Sequence, residues 1–193
     1  MQFAFTEEQT LIRESVETAC KELCDRDALF SAIEKNNGFN EAAWNTLCKD
    51  MGLGLTAVPE RLGGLGLSTI ELASIMEKMG RTLTPTPFFT SVVLSATALR
   101  HAEHSDVFNN ILSEISSGEK IASFAHLDSK GNNGATVGSV KYNSDGTLTG
   151  SLGFVQYADI ADYFVIQAQN LSGDPCLAVI DSAADNLDIT PRV

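Results

Sequence analysis

The sequence predicts an α+β fold, in which an N-terminal all-α helical bundle (residues 1–118) is followed by an antiparallel β-barrel or sandwich domain (residues 119–193). Apolar residues recur with the 3.6-residue period of a helix up to Gly118 and with the two-residue period of a strand after it. Helical segments come first and strand segments follow, whereas a doubly wound sheet would alternate them. A chain of 193 residues, 44% of them hydrophobic, is long enough for one full domain or two small ones.

The first predicted helix begins after Thr6. This residue can cap the helix, and Gln9 three positions later completes a capping box. We expect the helix to continue to about Ile33. Its apolar face begins with Ile12, Val16, Ala19, Cys20 and Leu23.

The second predicted helix is capped by Asn40. Phe39 and Trp44 are spaced as a hydrophobic staple around this cap, and Gly52 is placed to end the helix.

Three more helices complete the predicted bundle. Ser68, boxed by Glu71, marks the start of the first of them, and Gly80 marks its end. The other two are expected at about 87–100 and 106–117.

Four short segments after Gly118 predict strands, because they are rich in β-branched or aromatic residues and are separated by turn formers. They span residues 121–126, 135–142, 163–169 and 176–181.

Composition and charge exclude several classes of protein. The formal net charge of −12 argues against a nucleic-acid binder, which needs clustered Lys and Arg. No apolar run approaches the ~20 residues of a membrane helix, and the N-terminal residues lack a signal-peptide pattern, so we expect a cytoplasmic protein with no membrane partner. Four cysteines without CxxC spacing or a paired histidine indicate free thiols and no metal site.

Two motifs have both a structural and a functional interpretation. The glycine-rich run at 59–68 precedes a helix and is placed to bind a phosphate, but it lacks P-loop and GxGxxG spacing, so a structural turn is favoured. His126 ends a strand and is followed by Asp128, which is consistent either with acid–base chemistry or with local hydrogen bonding in a loop. His101 and His104 fit a surface role at a helix end.

An ordered set of motifs resembles the N-terminal helical domain of the acyl-CoA dehydrogenases. The set comprises WNTLCKDMGL (44–53), VPERLGGLGLS (58–68) followed by Glu71, EKMGR (77–81) and PTPF (85–88). The later Gly150 turn and the segments at 154–155 and 161–168 resemble the middle β domain of the same family.

This resemblance implies a flavoprotein that uses FAD to remove two hydrogens from the α and β carbons of an acyl-CoA thioester. It also implies a homo- or hetero-oligomer of dehydrogenase subunits, with an electron-transfer flavoprotein or another acceptor as a partner. The catalytic carboxylate of the family belongs to a C-terminal helical domain, so we expect the base beyond Val193 and the 193-residue fragment to be inactive alone.

The same resemblance implies two cofactor-facing segments. In the first, Phe124, His126 and Leu127 stand where the family has an apolar-Thr-Glu-Pro sequence, and Asn133 falls where a Gly-Ser pair approaches the cofactor. The second segment consists of Phe154, Val155 and Gln156.

Three of these positions depart from the family pattern: Leu127 replaces a hydroxyl residue, Phe154 a Trp, and Gln156 a small hydroxyl residue. Phe154 can still stack and Gln156 can still donate a hydrogen bond. The departures favour either a dehydrogenase for a bulky acyl group, such as a sterol side chain, or a flavin-free, non-catalytic subunit that stabilises an active partner.

Overall fold

The computed structural model describes residues 4–102, 105–132 and 139–191. Within these ranges, six α-helices precede five strands. The helices are α1 (Glu7–Leu23), α2 (Arg26–Lys35), α3 (Glu41–Trp44), α4 (Thr69–Arg81), α5 (Thr97–His101) and α6 (Asp106–Ser116). The strands are β1 (Ala122–Ala125), β2 (Val140–Tyr142), β3 (Leu148–Gly150), β4 (Tyr163–Gln169) and β5 (Pro175–Asp181).

The predicted N-caps are confirmed. Thr6 and Gln9 form a reciprocal capping box at α1, with the Gln9 N–H 3.2 Å from Thr6 Oγ1. Ser68 and Glu71 form a second box at α4, and Asn40 Oδ1 accepts from the Ala43 N–H at α3. Each cap satisfies backbone donors that the first helical turn leaves unpaired.

The prediction of one helix up to Ile33 is wrong. The backbone leaves the helical region at Cys24, and Asp25 then caps α2 by accepting a 2.8 Å hydrogen bond from the Ala28 N–H. The helical period of apolar residues continues across this break, so the period alone does not reveal it. The signal for a new helix is Asp25, because a carboxylate at this position caps the N-terminus of α2.

Two helices contain wider π-helical turns. Helix α3 continues through the π-helical segment Asn45–Asp50 and ends before Gly52, whose φ of +66° is left-handed. A second π-helical segment, Phe89–Ala96, leads into α5. The predicted helices at 87–100 and 106–117 are confirmed.

The sheet is mixed, which corrects the expectation of a purely antiparallel domain. Strand β4 is central: β5 pairs antiparallel along one side of it, and β1 pairs parallel on the other side. Beyond the end of β1, β2 meets β4 in parallel at a single pair, Lys141 and Gln169, and β3 pairs antiparallel with β2. Hydrophobic alternation indicates strands but leaves the direction of long-range pairing open.

The predicted strands at 121–126 and 163–169 contain β1 and β4, and the one at 176–181 matches β5, which begins one residue earlier at Pro175. Of the segment predicted at 135–142, residues 135–138 lie outside the described ranges, and β2 occupies the end. Strand β3 was not predicted, because a three-residue strand is too short to show alternation.

Helical side chains cover the outer edge of β1. The Ala122 N–H donates to Ser91 Oγ at 3.0 Å, and the Phe124 N–H donates to Thr90 Oγ1 at 2.9 Å. An open strand edge is a template for pairing with other chains. The π-helical segment therefore both satisfies and protects this edge.

The core consists of three clusters of buried residues. The first lies among the helices around Trp44, Leu47 and Ile75. The second joins helices to strands through Leu112, Ile115, Ala122 and Val165, and the third lies on the other face of the sheet. The second cluster contains residues from both the helices and the strands, so the core is not divided at residue 118. The division into two domains at that residue therefore stays a prediction. No helix in the described ranges combines the length and hydrophobicity needed to cross a bilayer.

Candidate functional site

An open cleft of about 540 Å³ separates the end of α4 and the start of the Phe89–Ala96 segment from the loop between β3 and β4. This volume is within the usual range of small-molecule sites. Its apolar lining comprises Met76, Met79, Leu83, Phe88 and Phe89. Its polar lining comprises Asn37, Thr84, Thr86, Gln156, Tyr157 and Asp159. The cleft can therefore hold an amphipathic ligand.

Two side-chain hydrogen bonds cross one end of the cleft. Tyr157 donates its hydroxyl to the Gly38 carbonyl at 3.2 Å, and Asn37 Nδ2 donates to Asp159 Oδ2 at 3.0 Å. Burial raises the pKa of Tyr157, and the negative charge of Asp159 adds to the rise. The phenol is thus a neutral hydrogen-bond donor at neutral pH. We call these two hydrogen bonds, formed by Asn37, Gly38, Tyr157 and Asp159, the clasp.

The two segments expected to face a cofactor lie side by side. The Gly153 N–H donates to the Leu127 carbonyl at 3.0 Å, and Ser123 Oγ donates to the Gln156 carbonyl at 2.6 Å. These contacts fix the segment 153–156 against the end of β1. Residues that are about thirty positions apart in the sequence therefore come together beside β1. We call this region, formed by the end of β1, by the residues that follow it and by the segment 153–156, the edge of the sheet.

Phe154 is exposed at this edge and has an unusual backbone conformation. Its φ is +56°, and 53% of the residue is accessible. A Cβ atom added at Gly131 would lie 3.1 Å from Phe154 Cε2, so the ring lies over the backbone of Gly131. The absence of a side chain at Gly131 therefore permits the close approach of the aromatic ring.

The loop beneath that ring is built around Asp128. Its carboxylate accepts hydrogen bonds from the backbone N–H groups of Lys130 and Asn132 and from the Asn132 amide. These donors, led by the Asn132 side chain, lower the pKa of Asp128. The carboxylate therefore serves the loop and is not placed as a base.

His126 follows β1 on the same face as Phe124, and the two ring centroids are 5.2 Å apart. Its Nδ1 is buried and has no hydrogen-bond partner among the described residues. A buried polar atom without a partner costs free energy and marks a position where a ligand or water can bind. Of the other expected positions, Val155 packs against the third core cluster, and Asn133 lies outside the described ranges.

The expected cofactor positions therefore fall into two groups. Gln156 lines the cleft, whereas Phe124, His126, Leu127 and Phe154 lie at the adjoining edge of the sheet. Sequence reasoning missed the clasp and Thr86, a residue of the cleft lining whose hydroxyl is buried without a described partner. No local pattern signalled the clasp, since its two hydrogen bonds join distant parts of the chain.

The glycine-rich run at 59–68 has a structural role. Its backbone donors are used internally: the N–H groups of Gly64, Leu65 and Gly66 donate to Pro59, Leu55 and Val58, respectively. A phosphate would have to compete with these bonds. His101 contacts Arg100, and His104 lies outside the described residues. In the part of the chain that the structure describes, no three His, Cys, Asp or Glu residues are grouped to hold a metal ion.

Curated relatives cover 60% of the chain and, in one case, nearly the whole of it. IpdE2 of Mycobacterium tuberculosis, an acyl-CoA dehydrogenase, is 30% identical over 115 residues, which is 60% of this chain and 35% of that protein. The acyl-CoA dehydrogenase FadE27 of the same organism is 28% identical over 201 residues, covering 97% of this chain and 52% of FadE27. The chain thus spans between about a third and a half of these relatives.

Solved structures agree with the fold. The ChsE4–ChsE5 complex from Mycobacterium tuberculosis superposes with a TM-score of 0.86 at 25% identity, covering 98% of this chain and 51% of that chain. An acyl-CoA dehydrogenase complexed with FAD from Bacillus anthracis gives a TM-score of 0.74 at 21% identity, with 98% and 34% covered. The family model for the acyl-CoA dehydrogenase N-terminal domain matches residues 6–119. This match covers more than half of the sequence, and the chain therefore belongs to the acyl-CoA dehydrogenase family.

Proposed function

We propose that the chain forms part of an enzyme that catalyses the FAD-dependent α,β-dehydrogenation of an acyl-CoA thioester, as a portion of a longer protein or of a complex. The observation that supports this most directly is the joining of the Leu127 and Gly153 backbones, which aligns both expected cofactor segments beside the cleft.

The residues at this edge fit a flavin. A flat heteroaromatic ring with polar edges needs an aromatic face and hydrogen-bonding groups. The edge offers Phe154 and the unpartnered Nδ1 of His126, and the adjoining cleft offers the Gln156 amide. When bound, the flavin supplies the hydride acceptor of the reaction. The role of this chain is to orient that group and to exclude water from one side of it.

The acyl group is proposed to lie in the cleft. Met76, Met79 and Phe89 offer an apolar surface for a hydrocarbon body, while the polar residues of the lining offer amides and hydroxyls. The departures from the family pattern at Leu127 and Gln156 favour a bulky acyl group over a straight chain.

Proton abstraction is assigned to a group outside the described residues. Asp159 is the one carboxylate among the described residues that line the cleft, and its Oδ2 accepts a hydrogen bond from Asn37. It is therefore engaged in the clasp. We propose that the base comes from sequence beyond Val193 or from a partner subunit.

Titration with FAD tests the cofactor assignment. The purified protein, with any chain that co-purifies, should bind FAD, and Phe154→Ala should weaken binding by roughly 2- to 10-fold, which corresponds to ~0.5–1.5 kcal/mol of aromatic contact. Tyr142→Ala is the matched control, because Tyr142 is an aromatic residue of β2 with 42% exposure. No FAD binding by the wild type, or equal effects of both substitutions, would contradict the assignment.

A second candidate function is that of a flavin-free subunit that stabilises an active dehydrogenase. The observation favouring it is Leu127, which offers only its backbone where the family has a hydroxyl group. The similarity to a chain of the two-component ChsE4–ChsE5 complex is compatible with this role. Co-purification with a second, flavin-containing dehydrogenase would support this function, and a flavin-loaded homo-oligomer would contradict it.

A further inference from the structure

Four non-glycine residues in or beside the cleft have left-handed backbones. The φ angles are +50° at Asn37, +51° at Leu83, +56° at Phe154 and +55° at Tyr157. Residues with a Cβ adopt this region rarely and keep it when surrounding contacts hold them there. Asn37 and Tyr157 belong to the clasp, and Phe154 lies three residues before Tyr157 in the same segment. Leu83 follows the end of α4 and is not part of either.

The segment 153–159 is anchored at both ends. At its beginning, the Leu127 carbonyl and Ser123 Oγ bind it to β1. At its end, the clasp binds it to the loop between α2 and α3, more than a hundred residues earlier in the sequence. Phe154, whose side chain is exposed, lies between the hydrogen-bonded residues Gly153 and Gln156, and the exposed side chain of Gln156 directly precedes the clasp residue Tyr157.

We propose that Tyr157 is a positioning residue, and that the clasp holds Phe154 and Gln156 in the orientation needed to contact the flavin. This inference rests on the proposed function and extends it to a contact across the cleft. The Tyr157 hydroxyl acts through the backbone. Its hydrogen bond to Gly38 holds Tyr157 in the left-handed conformation, and this conformation sets the direction of residues 154–156.

Tyr157→Phe tests this role because it removes the hydroxyl and retains the ring. Amide hydrogen exchange should rise about five- to tenfold at Ile160, whose N–H donates to the Tyr157 carbonyl, and at Gly153, while the amides of β4 and β5 keep their wild-type rates. FAD affinity should fall by a similar factor. Tyr142→Phe, on β2, should change neither quantity.

A second pair of variants keeps the test independent of Tyr157. Asp159→Asn retains an oxygen that can accept from Asn37 and should behave close to the wild type, whereas Asp159→Ala should increase exchange at the same amides. Unchanged exchange in Tyr157→Phe, or a uniform rise that includes β4, would overturn the proposal. If the Tyr157 and Asp159 variants show the local rise in exchange but the wild-type protein binds no FAD, the anchoring is supported and the proposed function is contradicted.

Discussion

Trp44 donates its indole N–H to the carbonyl oxygen of Gly118 at a distance of 3.1 Å. Trp44 is buried in the helical core, and Gly118 lies in the turn between α6 and β1. The φ of Gly118 is +76°, and a Cβ atom placed there would approach Cys48 Cβ to 2.7 Å. The turn that leads into the sheet is therefore fixed to the helical core by one hydrogen bond and by close backbone packing.

Gly118→Ala should destabilise the protein by more than the backbone cost alone. A left-handed conformation costs an L-residue ~1–2 kcal/mol, and the contact with Cys48 adds to it. Gly146→Ala is the matched control, because Gly146 has a φ of +86° and no atom within 4 Å of the added Cβ. Urea denaturation measures both variants. Equal losses would show that packing against Cys48 contributes nothing.

Thr90→Val should lower the free energy of unfolding by about 1–3 kcal/mol. The substitution keeps the side-chain shape but leaves the Phe124 N–H without its acceptor. Thr18→Val, in the exposed part of α1, should change stability by less than about 0.5 kcal/mol. If chemical denaturation finds the two variants alike, Thr90 does not support the edge of β1.

Glu71→Gln should lower the free energy of unfolding at neutral pH and make that free energy depend less on pH in the acid range. Hydrogen bonds, first that from the Ser68 hydroxyl and also that from Gln9, lower the pKa of Glu71 from its usual 4.5 to about 2. The ionised form therefore stabilises the fold above pH 4.5, and this contribution is lost as the pH falls from 4.5 towards 2. Thermal unfolding across this range should show a shallower decline in Glu71→Gln than in the control Glu119→Gln. Parallel curves would contradict the role of Glu71.

The cleft should bind an environment-sensitive hydrophobic dye. Leu83 and Phe89 both line the cleft and are 67% and 43% exposed, respectively. Leu83→Asn should reduce dye fluorescence, since Asn tolerates the φ of +51° at this position while adding polarity. Leu171→Asn alters a residue of 65% exposure away from the cleft and should leave the signal unchanged. Fluorescence that responds equally to both variants would exclude the cleft as the binding site.

Local features of the fold could be predicted from the sequence, whereas long-range ones could not. The caps at Thr6, Asn40 and Ser68 depend on hydrogen bonds within three residues, so their sequence signals are sufficient. The parallel pairing of β1 with β4 joins residues about forty positions apart. Nothing in the alternation of either strand specifies that partner.

In the candidate site, too, local features could be predicted from the sequence and long-range contacts could not. The family resemblance indicated the two segments around Leu127 and Phe154, and their hydrogen-bonded proximity is a structural finding. The clasp was not predictable, since Tyr157 has no local feature that indicates a contact with Gly38. The left-handed φ of Phe154 was equally hidden, because Gly, Asn and Asp are the residues that signal such a backbone.

The most direct test of dehydrogenation is anaerobic titration of the purified protein, with any chain that co-purifies, by acyl-CoA thioesters. The visible absorbance of bound flavin should bleach with a bulky acyl-CoA and bleach less with a straight-chain one. A bound flavin that retains its absorbance with every thioester, or a preparation that contains no flavin, would contradict the proposed dehydrogenation.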